Sequence, residues 1–310
     1  MKKRETFFLL LLPFFLLLNA CTDQPRDQLP FAKNSEGYAL GLYEGDSIEP
    51  KRTFHIQSDT FTKNIELDNM TSQDEKFLLL VLDHDRQIEF AVNGEFYSNY
   101  KFSLSSKQSK NIEVELKHLT KGFHSIRYII IKSPDKEIIQ KDQVVEAEQQ
   151  SQMMNIRVNI LQGISTIPSP PSFNVPIDVE TRPKGRVHGP FIQTLTNDYR
   201  IWLYEKTDSN VLNYRLLYGN QEQFPIDGYV ITLLNWKQIP IADDRWSIYD
   251  RLEPGMERKV NGNIKIPENR KYSFVAFWLP NPYDDLPDSN PYTNFPFSSL
   301  RLNIEKITEK

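Results

Sequence analysis

The densest set of hard oxygen donors in the chain is Asn281-Pro282-Tyr283-Asp284-Asp285-Leu286-Pro287-Asp288-Ser289-Asn290. Asp284, Asp285 and Asp288 offer carboxylates of the kind calcium takes. The spacing is not that of an EF-hand, because no glycine or bidentate glutamate stands where that loop needs one. The run continues as Pro291-Tyr292-Thr293-Asn294-Phe295-Pro296-Phe297. Together with Tyr283, the rings of Tyr292, Phe295 and Phe297 make a candidate contact surface for a glycan or peptide, since aromatic faces with polar neighbours suit such contacts. The competing expectation turns the rings back over a core and leaves the acids solvated.

Other groups with chemical potential are scattered. In Asp83-His84-Asp85, consecutive strand residues would point to opposite faces, so a shared metal ion is a poor fit and a polar turn is the better reading. His188, in Val187-His188-Gly189-Pro190, has no further ligands close in sequence. Trp236, Trp246 and Trp278 are expected in the core and at its corners. No Gly-x-Ser-x-Gly elbow, His-Glu-x-x-His pair, phosphate loop or dinucleotide fingerprint occurs. Cys21 is the single cysteine, so no intrachain disulfide can form. The net charge of −4 gives no footprint for nucleic acid.

The elements that would position these groups are short and alternate with period two. Ile112, Val114 and Leu116 alternate with Glu113 and Glu115. Met154, Ile156, Val158 and Ile160 alternate with Asn155, Arg157 and Asn159. One apolar and one polar face predict antiparallel sheets that cover one side of a core. Phe77 through Leu82 is continuously apolar and fits a central strand. Ile88, Phe90 and Val92 run into Asn93-Gly94, the strongest short hairpin signal, with the return strand expected near Tyr100. Residues 134 to 152 suit an amphipathic helix or a long loop with a strand piece near Ile138; periodicity does not decide between them. In the second half, strands are expected at 200–204, 214–218, 229–234, 260–266, 272–279 and 300–304. That half has the same style as the first, with no repetition legible in the sequence.

Three stretches resemble known families. Lys2-Lys3-Arg4, the apolar run from Phe7 and Leu18-Asn19-Ala20-Cys21 resemble the signal of bacterial lipoproteins. That resemblance implies cleavage between Ala20 and Cys21 and lipid attachment to the Cys21 sulfur. Leu119-Thr120-Lys121-Gly122-Phe123-His124 resembles the turn into the penultimate strand of bacterial immunoglobulin-like domains, which implies that His124 hydrogen-bonds across the turn as a structural residue. Ile266 to Tyr272 resembles the tyrosine corner of immunoglobulin and fibronectin type III sandwiches, with Glu268-Asn269-Arg270 inside it.

The expected architecture is therefore all-β, with two immunoglobulin-like antiparallel sandwiches in tandem. The divisions are a signal peptide at 1–20, a lipidated tether at 21–37, a first sandwich at 38–165, a Pro-rich linker at 166–173 and a second sandwich at 174–308. The three prolines of Pro168-Ser169-Pro170-Pro171 predict a semi-rigid spacer. The expected function is a non-catalytic cell-envelope lipoprotein, a spacer or interaction module held to a membrane by its lipid. Its partner would be an envelope protein or a glycan. The alternative is a lipoprotein that binds glycan, peptide or calcium through residues 281 to 297. A wall-polymer hydrolase ranks last.

Overall fold

The computed structural model describes residues 26–30, 36–136, 153–176, 179–196, 198–242, 244–267, 270–287 and 295–307. Residues 1–25 with Ala20 and Cys21, the segment 137–152, Asp288 and Tyr292 lie outside the described residues.

The described chain is all-β, as expected. The first half holds β1 (Tyr38–Glu44), β2 (Ser47–Ile48), β3 (Thr53–Ile56), β4 (Phe61–Asn69), β5 (Glu75–Asp83) and β6 (Arg86–Ile88). It continues with β7 (Phe90–Val92), β8 (Glu95–Tyr97), β9 (Tyr100–Leu104), β10 (Gln108–Leu116), β11 (Gly122–Lys132) and β12 (Met153–Gln162). The second half begins with β13 (Glu180–Arg182), β14 (Gly189–Gln193), β15 (Tyr204–Thr207), β16 (Val211–Gly219), β17 (Ile226–Leu234) and β18 (Lys237–Ile239). It ends with β19 (Ile248–Leu252), β20 (Glu257–Lys265), β21 (Lys271–Pro280), β22 (Phe297–Ser298) and β23 (Leu302–Lys306).

Each half is a pair of sheets around its own core. In the first, the outer sheet has the order β2-β1-β4-β10-β7-β8. The inner sheet has β3-β12-β11-β5-β6, with β9 also on β5. Leu42, Ile65, Phe77, Val81, Tyr128 and Val158 pack between them. In the second, β13-β20-β16-β14 lies outside and β15-β23-β21-β17-β18 inside, with β19 on β17 and β22 on β21. Tyr214, Tyr218, Phe274 and Trp278 lead that core.

Several strands differ from expectation. The Ile88 to Val92 run is broken at Glu89, because β6 belongs to the inner sheet and β7 to the outer one. Asn93 (φ 52°) and Gly94 (φ 82°) both take the left-handed conformation, as a type I′ hairpin requires. The return strand begins at once, at Glu95. Its alternation is weak because β8 is an edge strand. The expected strand at 200–204 starts instead at Tyr204. Two pairings are parallel: β3 with β12 and β15 with β23.

Residues 167–173, between the halves, carry no strand. The inner sheets pack face to face and share a third apolar cluster. Leu78, Leu80, Leu82, Ile129 and Ile131 of the first half meet Tyr229, Ile231, Leu233, Val275, Phe277 and Leu279 of the second. Both faces of each inner sheet are therefore covered. This accounts for the continuous apolar run of β5, since an antiparallel strand with one wet face would alternate. Burying a large apolar side chain stabilises by about 1.5–3 kcal/mol, so this seam is a substantial part of the fold.

The two halves also repeat one strand plan. The inner sheets correspond strand for strand, β3-β12-β11-β5-β6 to β15-β23-β21-β17-β18. Gln87 and Gln238, 151 residues apart, hold equivalent places on β6 and β18. Ile126 lies opposite Asp83 as Phe274 lies opposite Leu234. Val158 lies opposite Ile126 as Leu302 lies opposite Phe274. Arg157-Val158-Asn159-Ile160 thus falls in the place of Arg301-Leu302-Asn303-Ile304. Asn69 and Asn220, both fully buried, close equivalent turns. The Asn69 amide donates to the Gln73 carbonyl and the Asn220 amide to that of Phe224.

Candidate functional site

The seam concentrates the polar groups whose burial requires explanation. Arg127 (1% exposed), Arg157 (4%) and Arg301 (1%) are buried in it. A buried guanidinium needs acceptors, and here they are backbone carbonyls at strand ends. Arg127 donates to the Pro280 carbonyl and Arg157 to that of Asn281. Arg157 also reaches the carbonyls of Pro282 (3.1 Å) and Asp284 (2.5 Å), and the Asn159 amide adds a bond to Asp284 (3.1 Å). From the other side, the equivalent Arg301 donates to the carbonyls of Ser133 (2.6 Å) and Lys132 (2.7 Å). Each half thus caps a turn of the other, Arg157 the one after β21 and Arg301 the one after β11. Both turns carry a non-glycine residue in the left-handed region, Ser133 at φ 46° and Asn281 at φ 48°. Burial pulls all three arginines below their ordinary range, Arg157 and Arg301 to about 10.

The alternation on β12 is real, but its polar face is not solvated as expected. Arg157 and Asn159 lie under the second half. Gln87 and Gln238 exchange matching bonds across the seam, each backbone N–H donating to the other side chain at 2.7 Å.

At one end of the seam stands the Asp83-His84-Asp85 turn, the polar turn expected between β5 and β6. Asp83 accepts from His84 Nδ1 (2.8 Å) and from His124 Nδ1 (2.6 Å). His124 Nε2 lies 2.8 Å from the Thr120 carbonyl oxygen. Both partners of the His124 ring are acceptors, an arrangement that favours a proton on each ring nitrogen. Burial pushes the Asp83 carboxyl up, but the two imidazoles outweigh it and hold it at about 2. Burial likewise pushes His124 down, and Asp83 with the Thr120 carbonyl raises it above its ordinary value. Asp85 accepts from the Ser247 hydroxyl of the second half (2.5 Å), and its carbonyl accepts from the Gln238 amide.

Tyr283 fills the gap beside this turn. Its ring centroid lies 5.2 Å from His84, 5.8 Å from Phe123 and 5.9 Å from Tyr249, and its hydroxyl is 3.0 Å from that of Tyr229. The candidate surface at 281–297 is therefore divided. Tyr283 is part of the seam. Phe297 packs on Trp278 (5.5 Å) and His188 (4.6 Å). Its Cβ lies 2.6 Å from where a Cβ on Gly189 would stand, and Gly189 is at φ 75°. Phe295 is exposed. Of the calcium candidates, the Asp285 side chain caps the Leu286 N–H and Asp284 stands beside Arg157. Among the described residues no group of three or more His, Cys, Asp or Glu could hold a metal ion. Trp236 and Trp278 are buried, whereas Trp246 is 40% exposed, with Arg86 5.6 Å from its ring.

At the other end of the seam is a cavity of about 280 Å³ lined from both halves, including Lys101, Pro134 and Asp135 of the first and Asn235, Trp236, Lys271, Ser273 and Glu305 of the second. Lys101 pairs with Asp135 at 2.5 Å, and the Tyr204 hydroxyl donates to Glu305 at 2.5 Å. Trp236, at φ 64°, is an outlier for so bulky a residue. Its indole N–H donates to the Pro134 carbonyl across the seam (3.1 Å), and Arg301 lies over its ring (4.9 Å). Sequence reasoning did not point to this cavity, since its lining comes from several strands and two loops.

No protein-family model matches the chain, and no curated protein is similar to it. The Escherichia coli chaperone DraB is similar at 12% identity over 88% of this chain and 97% of that one, with a TM-score of 0.25. The CsuC–CsuE chaperone–tip adhesion subunit pre-assembly complex of Acinetobacter baumannii is similar at 9% identity over 87% of this chain and 99% of the matched one, with a TM-score of 0.26. Red sea bream transglutaminase is similar at 8% identity over 87% of this chain, with a TM-score of 0.25, and the chain spans only 31% of that structure. Likenesses this low bear on no function.

Proposed function

We propose that this chain is a surface-tethered, non-catalytic interaction module, held to a membrane by a lipid on Cys21. The leader from Lys2 to Cys21 supports the anchor, because its charge, apolar length and closing Leu-Asn-Ala-Cys follow the lipoprotein order. The observation that carries the module reading is the seam. Its buried arginines, its Asp83–His124 pair and its reciprocal glutamines are committed to holding two sandwiches in one arrangement. A body of this kind presents loops from both halves at fixed separation, which suits recognition at a distance from a membrane. Metabolic labelling with an alkyne fatty acid tests the anchor. Label on the wild-type chain, lost together with membrane retention in Cys21→Ala, is the expected result. A wild-type chain that stays unlabelled, or a Cys21→Ala chain that keeps its label, overturns it.

A further inference from the structure

The repeat explains why a cavity stands at the Asp135 end of the seam. The position equivalent to Tyr283 is Asp135, because each is the second residue after the left-handed Asn281 or Ser133. The rings around Tyr283 have equivalents too. By strand register, Asn235 stands in the place of His84, Lys271 in that of Phe123 and Lys101 in that of Tyr249. All three of these residues line the cavity with Asp135. The cavity is thus the slot that a tyrosine ring fills at the opposite end, left open because a short carboxylate replaces the ring.

Its size and lining narrow the occupant. About 280 Å³ is below the usual range for a whole small-molecule ligand and suits a single side chain. Lys101, paired with Asp135, and Lys271 stand where two aromatic neighbours stand at the filled end, and an ammonium group can lie over a ring face. Trp236 walls the slot from a left-handed backbone conformation, and strain of that kind collects at functional positions. We infer that this cavity receives an aromatic side chain of a partner polypeptide, its ring lying beside Trp236. This rests on the interaction-module reading and deepens it by naming the contact point.

The test uses the whole mature chain and two probes, N-acetyl-L-tyrosine and its neutral amide. Binding is followed through the amide resonances of Asn235 and Ser273. The expected result is saturable binding of both probes with Kd on the order of 1 mM. Asp135→Tyr rebuilds the missing ring, so it should abolish probe binding and raise the melting temperature. Absence of probe binding at about 10 mM, binding undiminished in a folded Asp135→Tyr, or equal binding of N-acetylglucosamine each overturns the inference. Should Asp135→Tyr fail to fold, the wild-type titration decides alone. None of these outcomes depends on the lipid, so failure of the anchor and failure of the slot are told apart.

Discussion

The two turns at the ends of the seam occupy equivalent places and are built from opposite chemistry. The β5–β6 turn, Asp83-His84-Asp85, is held by charge: a carboxylate between two imidazoles, with Tyr283 stacked against it. The β17–β18 turn, Asn235-Trp236, is held by packing. Its backbone is left-handed at both residues, and the indole is clamped between Pro134 and Arg301. One strand plan therefore tolerates either device, because what it demands is only that the turn reach the opposite sheet. The difference lies in what each end can respond to. The charged end answers to protons, while the packed end leaves space beside it.

The largest effect is expected where the halves are most alike. Leu80 and Ile231 are equivalent and both fully buried in the seam. Leu80→Asp and Ile231→Asp each place an unpaired carboxylate there, at a cost above about 4 kcal/mol. Chemical denaturation should show one cooperative transition in the wild type and two in either variant. A single transition in both variants would mean that the seam does not couple the sandwiches.

Next comes Trp236→Gly. Loss of the buried indole costs about 3–5 kcal/mol, and relief of the left-handed strain returns about 1–3 kcal/mol. A net loss of about 2 kcal/mol is expected by urea titration, the difference of those two effects. A variant more stable than wild type would show that the strain outweighs the clamp.

The smallest effect is the proton response of the charged end. His124 is raised, so its contribution is complete below its unfolded value near 6.5 and is lost as pH climbs through the higher folded value. Asp83 is depressed to about 2, so its share is present above its unfolded value near 3.9 and disappears as pH falls toward that folded value. This corner is strongest between about pH 4 and 6.5. An NMR titration should show protons on both His124 ring nitrogens within that window, and His124→Gln should flatten the alkaline limb of the stability curve. A His124 that titrates below the ordinary histidine value would refute the assignment.

Much of the local structure was legible. Alternation in β10, the Asn93-Gly94 turn and the polar turn after β5 follow from period two and from turn chemistry. Signals of the seam were present as well. The continuous apolar run from Phe77 to Leu82 is what a strand covered on both faces needs. Arg86-Gln87-Ile88 matches Lys237-Gln238-Ile239, and Arg157-Val158-Asn159-Ile160 matches Arg301-Leu302-Asn303-Ile304. These matches are short and unequally spaced, because the connections differ in length between the halves.

By itself, the sequence determined the β class and the individual turns, since each depends on residues close together along the chain. Only the tertiary structure decided that Arg157 is covered instead of solvated, that Tyr283 faces inward and that Asp135 leaves a slot. Those outcomes depend on which sheet faces which, and alternation along one strand marks a face without naming what will lie against it.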